Sequence, residues 1–175
     1  PTAFILAQTA IAAPPLVPEI RLHLGTGITP IWEATEATLT AMNLPAPYWA
    51  FAWAGGQALT RFLFDHPDWV QGKRVLDFAA GSGLSAIGAA KAGAALTQAA
   101  EIDDFAIAAI ALNARVNNVA IDLVREDLVG VEPRWDPVLA GDVFYERPMA
   151  ERAIAWFRAL AGRGVAILMG DPGRA

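Results

Sequence analysis

The stretch VLDFAAGSGLSAIGAA, residues 75–90, brings an acid, two closely spaced glycines and an alanine-rich segment together. Read through Gly81, Gly83 and Ala86 it is G-x-G-x-x-A, the turn that holds a pyrophosphate in nicotinamide and flavin enzymes. Read from Asp77 it is D-x-x-x-G-x-G, which suits S-adenosylmethionine. In both readings the glycines allow a tight turn and close ligand approach, and helix-end amides favour an anion. A pyrophosphate satisfies that requirement, and so does a methionine carboxylate. Asp77 separates the two. A carboxylate ahead of the turn repels a pyrophosphate but accepts an ammonium group or a water beside one, so the balance favours S-adenosylmethionine. The plainer role for Asp77 is to cap local backbone amides.

Further acids follow at the expected strand ends. AAEIDD supplies Glu101 to grip ribose hydroxyls, with Asp103 and Asp104 behind it and Ile102 placed to pack beside an adenine. REDL supplies Asp127, a candidate for the adenine amino group. In LAGDVFYERP, Asp142 can orient an incoming amine while Phe144 and Tyr145 wall its alkyl stem. The alternative is a polar loop with Glu146 and Arg147 capping the helix that Pro148 opens. Upstream, Tyr48, Trp49, Phe51 and Trp53 form a dense aromatic stretch, read as core with one ring covering a bound cofactor.

These residues need strands to carry them to one rim. The pattern predicts strands at 74–78, 96–102, 120–124, 136–140 and 164–169, with helices at 84–92, 105–116 and 148–160 between them. Such alternation means an α/β fold with a parallel sheet covered on both faces. Open sheets of this kind bind ligands beyond the carboxyl ends of their strands. Ahead of the sheet, the first thirty residues read as irregular apart from a short strand at 20–24. A helix capped by Thr29 and Pro30 runs to about Met42, and another runs from about Ala54 to the stop at Pro67. Two parts are expected: an N-terminal extension, 1–72, and the cofactor-binding core, 73–175, packed as one structural domain. The sheet ends at GDPGRA with its far edge uncovered, so its last elements are expected to be absent from this chain or disordered.

Composition narrows the function. In 175 residues, 55% are hydrophobic and 18% charged, enough for one sizeable core. The net charge of -5 and scattered basic residues argue against nucleic-acid binding. Cysteine is absent and only His23 and His66 are present, so no metal cluster is legible; both histidines read as structural or surface residues. No apolar run approaches the ~18 residues of a membrane span, and the opening PTAFILAQTAIAAPP lacks the basic start of a signal sequence. The expected location is a bacterial cytoplasm.

PPLVPEIRLHL, WAFAWAGGQAL, LDFAAGSG, AAEID, LAGDVFYE and GDPGR closely resemble bacterial relatives of the lysine methyltransferase that acts on the electron transfer flavoprotein beta subunit. The resemblance spans nearly the whole chain. It implies the Rossmann-like seven-strand class, with the last two strands apparently absent from this chain, and S-adenosylmethionine as methyl donor. It assigns the glycine turn to Gly81 and Gly83 with Asp77 ahead, the ribose acid to Glu101, the pocket tryptophan to Trp53, and the D-x-x-Y signature to Asp142 and Tyr145. The substrate it implies is a lysine of the flavoprotein subunit. Competing readings are a small-molecule N-methyltransferase with a nicotinamide-like substrate, a ribosomal protein L11 type of enzyme, a nicotinamide-dependent oxidoreductase, and a non-catalytic module on the same scaffold.

Overall fold

The computed structural model describes residues 1–25 and 46–173. Its centre is a five-stranded parallel sheet of β3 (Arg74–Phe78), β4 (Leu96–Ala100), β5 (Asp122–Val124), β6 (Val138–Gly141) and β7 (Ile167–Gly170), in the order β5-β4-β3-β6-β7. Chain order runs outward from β3 through β4 to β5, then returns to β6 on its other side. The switch point therefore lies between β3 and β6, where open sheets leave a crevice.

Strand alternation divides the core. Val75 and Leu139 point to one face and pack with Leu59 and Leu63 of α2 (Ala54–Asp65) and Ala89 of α3 (Leu84–Lys91). Ala99 meets Ala86 of α3 and Ile110 of α4 (Asp104–Val116) on that same face. Leu76, Phe78, Val138 and Ala140 point the other way, onto Trp156, Phe157 and Leu160 of α5 (Arg147–Ala161). This is the doubly covered α/β sheet expected, with element ends shifted by a few residues. Asp77 follows Val75 by two positions, so it lies on the α2–α3–α4 face.

The amino-terminal segment departs from expectation. Instead of an irregular chain, Thr2–Gln8 forms a helix, α1, and β1 (Thr9–Ala12) pairs antiparallel with β2 (Leu22–Gly25). TAFILAQ has weak helical patterning of its own, and tertiary packing supplies the stability. Ile5 is buried against Trp49, Ala106 and Ala109, and the Phe4 ring sits edge-on to Phe105 at 5.6 Å. The helix expected at residues 29–42 lies outside the described residues. Among the described residues no helix is long and apolar enough to cross a membrane.

Candidate functional site

A cavity of about 670 Å³ opens at the carboxyl ends of β3, β4 and β6. That is the size of a small-molecule site, about 300–1,000 Å³. Asp77, Gly81, Glu101, Ile102, Asp142 and Tyr145 all line it, and Trp53 closes one side.

Asp77 is 2% exposed, and its Oδ2 accepts the Ala86 amide at 2.8 Å. Ala86 is in the first turn of α3, so the strand acid does cap that helix while also facing the cavity. Burial pushes the carboxyl up to about 8, with the nearby Glu101 charge adding to the rise and the Ala86 amide opposing it. Without a cation beside it, Asp77 is therefore largely protonated at neutral pH. An ammonium group would draw it back to the carboxylate.

Glu101 stands just past the end of β4. One oxygen accepts the Gly81 amide at 2.9 Å and the other its neighbour Ile102 at 3.0 Å. Burial raises its carboxyl, opposed by the amides of Gly81, Ile102 and Asp103. The acid thus reaches across from one strand end to hold the glycine turn of the next. Ile102 is 71% exposed on the rim, an open apolar surface for a flat ring to lie on.

The two glycines divide the work of the turn. Gly81 lines the cavity; Gly83 does not. Gly83 has φ 77°, caps α3, and turns its Cα face to Ile110, where a Cβ would meet the side chain at 2.9 Å. Its small size serves helix packing rather than ligand approach. Ala79, on the cavity wall, also adopts a left-handed φ of 52°, a conformation that strains a residue with a Cβ.

Asp142 follows β6 directly, with φ 54°. Its Oδ2 accepts the Gly56 amide at 2.9 Å in the first turn of α2, and its own amide donates to Gly170 at 2.8 Å. The helix reaches this close because residues 55 and 141 are glycines, a Cβ at Gly141 falling 2.9 Å from the Gly56 Cα. A Cβ at Gly55 would overlap the Gly170 carbonyl oxygen and lie 2.6 Å from Asp142 Oδ2. Asp77 and Asp142 thus play matching roles at the ends of neighbouring strands, each anchoring a helix start and each facing the cavity.

Aromatic rings form the rim. The Tyr145 ring lies 4.8 Å from Tyr48 between centroids, and Tyr48 lies 6.1 Å from Trp53. The Trp53 indole donates to the Tyr48 carbonyl at 2.9 Å, which folds the aromatic stretch back over the opening. Burial pushes the Tyr145 phenol up to about 12, with Tyr48, Glu146 and Glu101 adding to the rise, so it keeps its proton.

Besides Gly83, two more expected residues lie elsewhere. Phe144 packs into the core beneath α5 and does not line the cavity. The left-handed turn at Asp142 breaks the strand alternation and sends Phe144 to the opposite face. Asp127 is also outside: it pairs with Arg152 at 2.5 Å, accepts the Val129 amide and does not line the cavity. Sequence reasoning passed over Ser85 and Met149, both on the cavity wall. Neither carries a signal distinguishing it from an ordinary helix residue.

The family model described as ribosomal protein L11 methyltransferase (PrmA) matches residues 57–141. The electron transfer flavoprotein beta subunit lysine methyltransferase of Xenopus laevis is 41% identical over 178 residues, covering 100% of this chain and 71% of that protein. The Danio rerio protein of the same name is 38% identical, covering 98% and 67%. Among solved structures, the T. thermophilus 16S rRNA N2 G1207 methyltransferase in complex with AdoMet and guanosine superimposes with a TM-score of 0.52. It shares 21% identity over 65% of this chain and 32% of that one, a likeness of fold. The match over the whole chain, which includes the amino-terminal extension, shows that the protein belongs to the family of electron transfer flavoprotein beta subunit lysine methyltransferases, S-adenosylmethionine-dependent protein methyltransferases.

Proposed function

We propose that this protein methylates a lysine side chain of the electron transfer flavoprotein beta subunit. The observation that carries the reading is the placement of Asp77 and Asp142 on one cavity at the switch point between β3 and β6. The named relatives support the choice of substrate.

The lining chemistry fits S-adenosylmethionine. Asp77 would meet the amino group, the Ser82 side of the glycine turn the carboxylate, Glu101 the ribose and Ile102 the adenine, with Trp53 closing the pocket. When bound, that cofactor supplies an electrophilic methyl group on a sulfonium. A buried carboxyl that ionises beside a cation suits the donor's ammonium group and offers a diphosphate no positive charge, which disfavours the dinucleotide alternative.

The chain's own task is to deliver a neutral amine in line with that methyl. Lysine titrates near about 10.4, so at neutral pH freeing its lone pair costs roughly 4 kcal/mol. Removal from water lowers that cost, and the rings of Tyr48 and Tyr145 supply an apolar passage. Asp142 sits at the amide end of α2, a favourable seat for a carboxylate. It orients the amine and accepts its proton. Tyr145, holding its own proton, acts as a wall and a hydrogen-bond donor. Most of the rate enhancement on this account is positioning.

The test is incubation of purified protein with labelled S-adenosylmethionine and the flavoprotein beta subunit, followed by mass spectrometry of the subunit. A methyl group on a lysine supports the reading. Label only on nicotinamide or other small amines would replace it with the small-molecule alternative.

A further inference from the structure

We infer that Asn113 is a positioning residue that holds the cofactor turn from behind while it also docks the amino-terminal hairpin, so that this one side chain sets the affinity of the site. The inference rests on reading that turn as the S-adenosylmethionine site.

Asn113 is completely buried on α4, and both ends of its amide are used. Its Nδ2 donates to the Ser82 carbonyl, between Gly81 and Gly83, at 2.8 Å. Its Oδ1 accepts the His23 amide of β2 at 2.7 Å. One turn along the helix, Asn117 accepts the Arg21 amide at 3.1 Å and donates to the Arg21 carbonyl at 2.6 Å. The two side chains act as a surrogate strand edge for β2, and only Asn113 also reaches the turn. A second contact runs the same way, because Gly83 packs against Ile110 of the same helix. The Ser82 carbonyl is thus fixed from behind while the neighbouring Gly81 amide is held by Glu101 from the cavity side. A turn gripped on both sides keeps its backbone in place before a ligand arrives, which lowers the ordering cost of binding.

The pair Asn113 and Asn117 separates this role from simple docking of the hairpin. Asn113→Ala removes the hold on the turn together with that on His23; Asn117→Ala removes the hold on Arg21, just ahead of β2, and a bond to the Asn113 carbonyl, and leaves the turn's own contact in place. Adenosylhomocysteine affinity by calorimetry, thermal midpoints, and KM for S-adenosylmethionine against kcat are measured for each. Asn113→Ala should weaken binding about tenfold, the equivalent of one lost hydrogen bond, and raise that KM with little change in kcat. Asn117→Ala should lower the thermal midpoint while leaving affinity and KM near those of the parent. Should Asn113→Ala not fold, Asn113→Leu carries the same expectation: it fills a similar volume and has no hydrogen to donate to Ser82. A folded Asn113 variant with parental affinity would overturn the inference, as would equal weakening in Asn117→Ala. Failure of the parent itself to bind adenosylhomocysteine would instead remove the reading of the turn.

Discussion

Asp142 and Gly56, 86 positions apart in sequence, meet at the rim of the sheet, where the carboxylate accepts the amide at 2.9 Å. One side chain therefore has two duties, holding the start of α2 and facing the cavity. The duties separate by substitution. Asn is at home in the left-handed conformation that residue 142 adopts and keeps an oxygen for Gly56. Asp142→Asn should leave the thermal midpoint close to that of the parent and lower kcat by about a hundredfold, the scale of a lost acid–base group. Asp142→Ala should lose activity as fully and lose stability as well, by roughly 1 kcal/mol for the cap. Both should keep much of their affinity for adenosylhomocysteine. Parallel loss of affinity and turnover would assign Asp142 to holding the cofactor.

Phe144 and Tyr145 are neighbours with opposite surroundings, core and cavity rim. Phe144→Ala should destabilise by about 2 kcal/mol, as expected for a half-buried ring, with the folded fraction still active. Tyr145→Ala should do the reverse, cutting kcat/KM for the protein substrate about tenfold with a nearly unchanged denaturation curve. Denaturant titrations beside initial rates distinguish the two patterns.

The alternation of strands and helices was legible because apolar runs of strand length sit between helical patterns, and the acids fall at strand ends. Seven of the expected residues share one cavity: Trp53, Asp77, Gly81, Glu101, Ile102, Asp142 and Tyr145. The failures have physical causes. Counting outward along β6 assumes an extended chain, and the positive φ at Asp142 ends that count, so Phe144 was assigned to the wrong face. The position of Asp127 depends on Arg152, 25 residues away on α5, a pairing no local pattern discloses. α1 and β1 escaped notice because TAFILAQTAIAA is apolar without a clear period, and their partners, α4 for α1 and β2 for β1, lie further along the chain.

That pairing leads to a direct comparison. Asp127 and Arg152 are both largely exposed, so Asp127→Ala should change stability by less than about 1 kcal/mol and leave adenosylhomocysteine affinity as it was. Glu101→Ala, which frees the Gly81 amide and removes the candidate ribose acid, should weaken that affinity at least about tenfold. Calorimetry on the two variants side by side checks both expectations. A large loss at Asp127 would mean that its pair with Arg152 opens to admit the adenine.

The raised carboxyl at Asp77 has a signature in pH. Below its ordinary value of 3.8 both folded and unfolded chains hold the proton. Between there and about 8 the unfolded chain releases it and the folded chain does not, so this group's contribution to stability declines as pH rises through that window. Asp77→Asn keeps an acceptor for Ala86 and cannot ionise. Without ligand, its chemical denaturation midpoint should fall less steeply with pH than the parent's, with the largest advantage near the top of the window, and it should bind adenosylhomocysteine more weakly. Identical slopes for parent and variant would show that Asp77 is already ionised in the folded chain.

The cavity's preference between a cationic methyl donor and a diphosphate is measured most directly by calorimetric titration of the purified protein with S-adenosylmethionine, adenosylhomocysteine and a nicotinamide dinucleotide in parallel. Saturable binding of the first two at one site per chain, with no measurable heat from the third, is the predicted result. Tight binding of the dinucleotide with none of the adenosyl compounds would contradict the account.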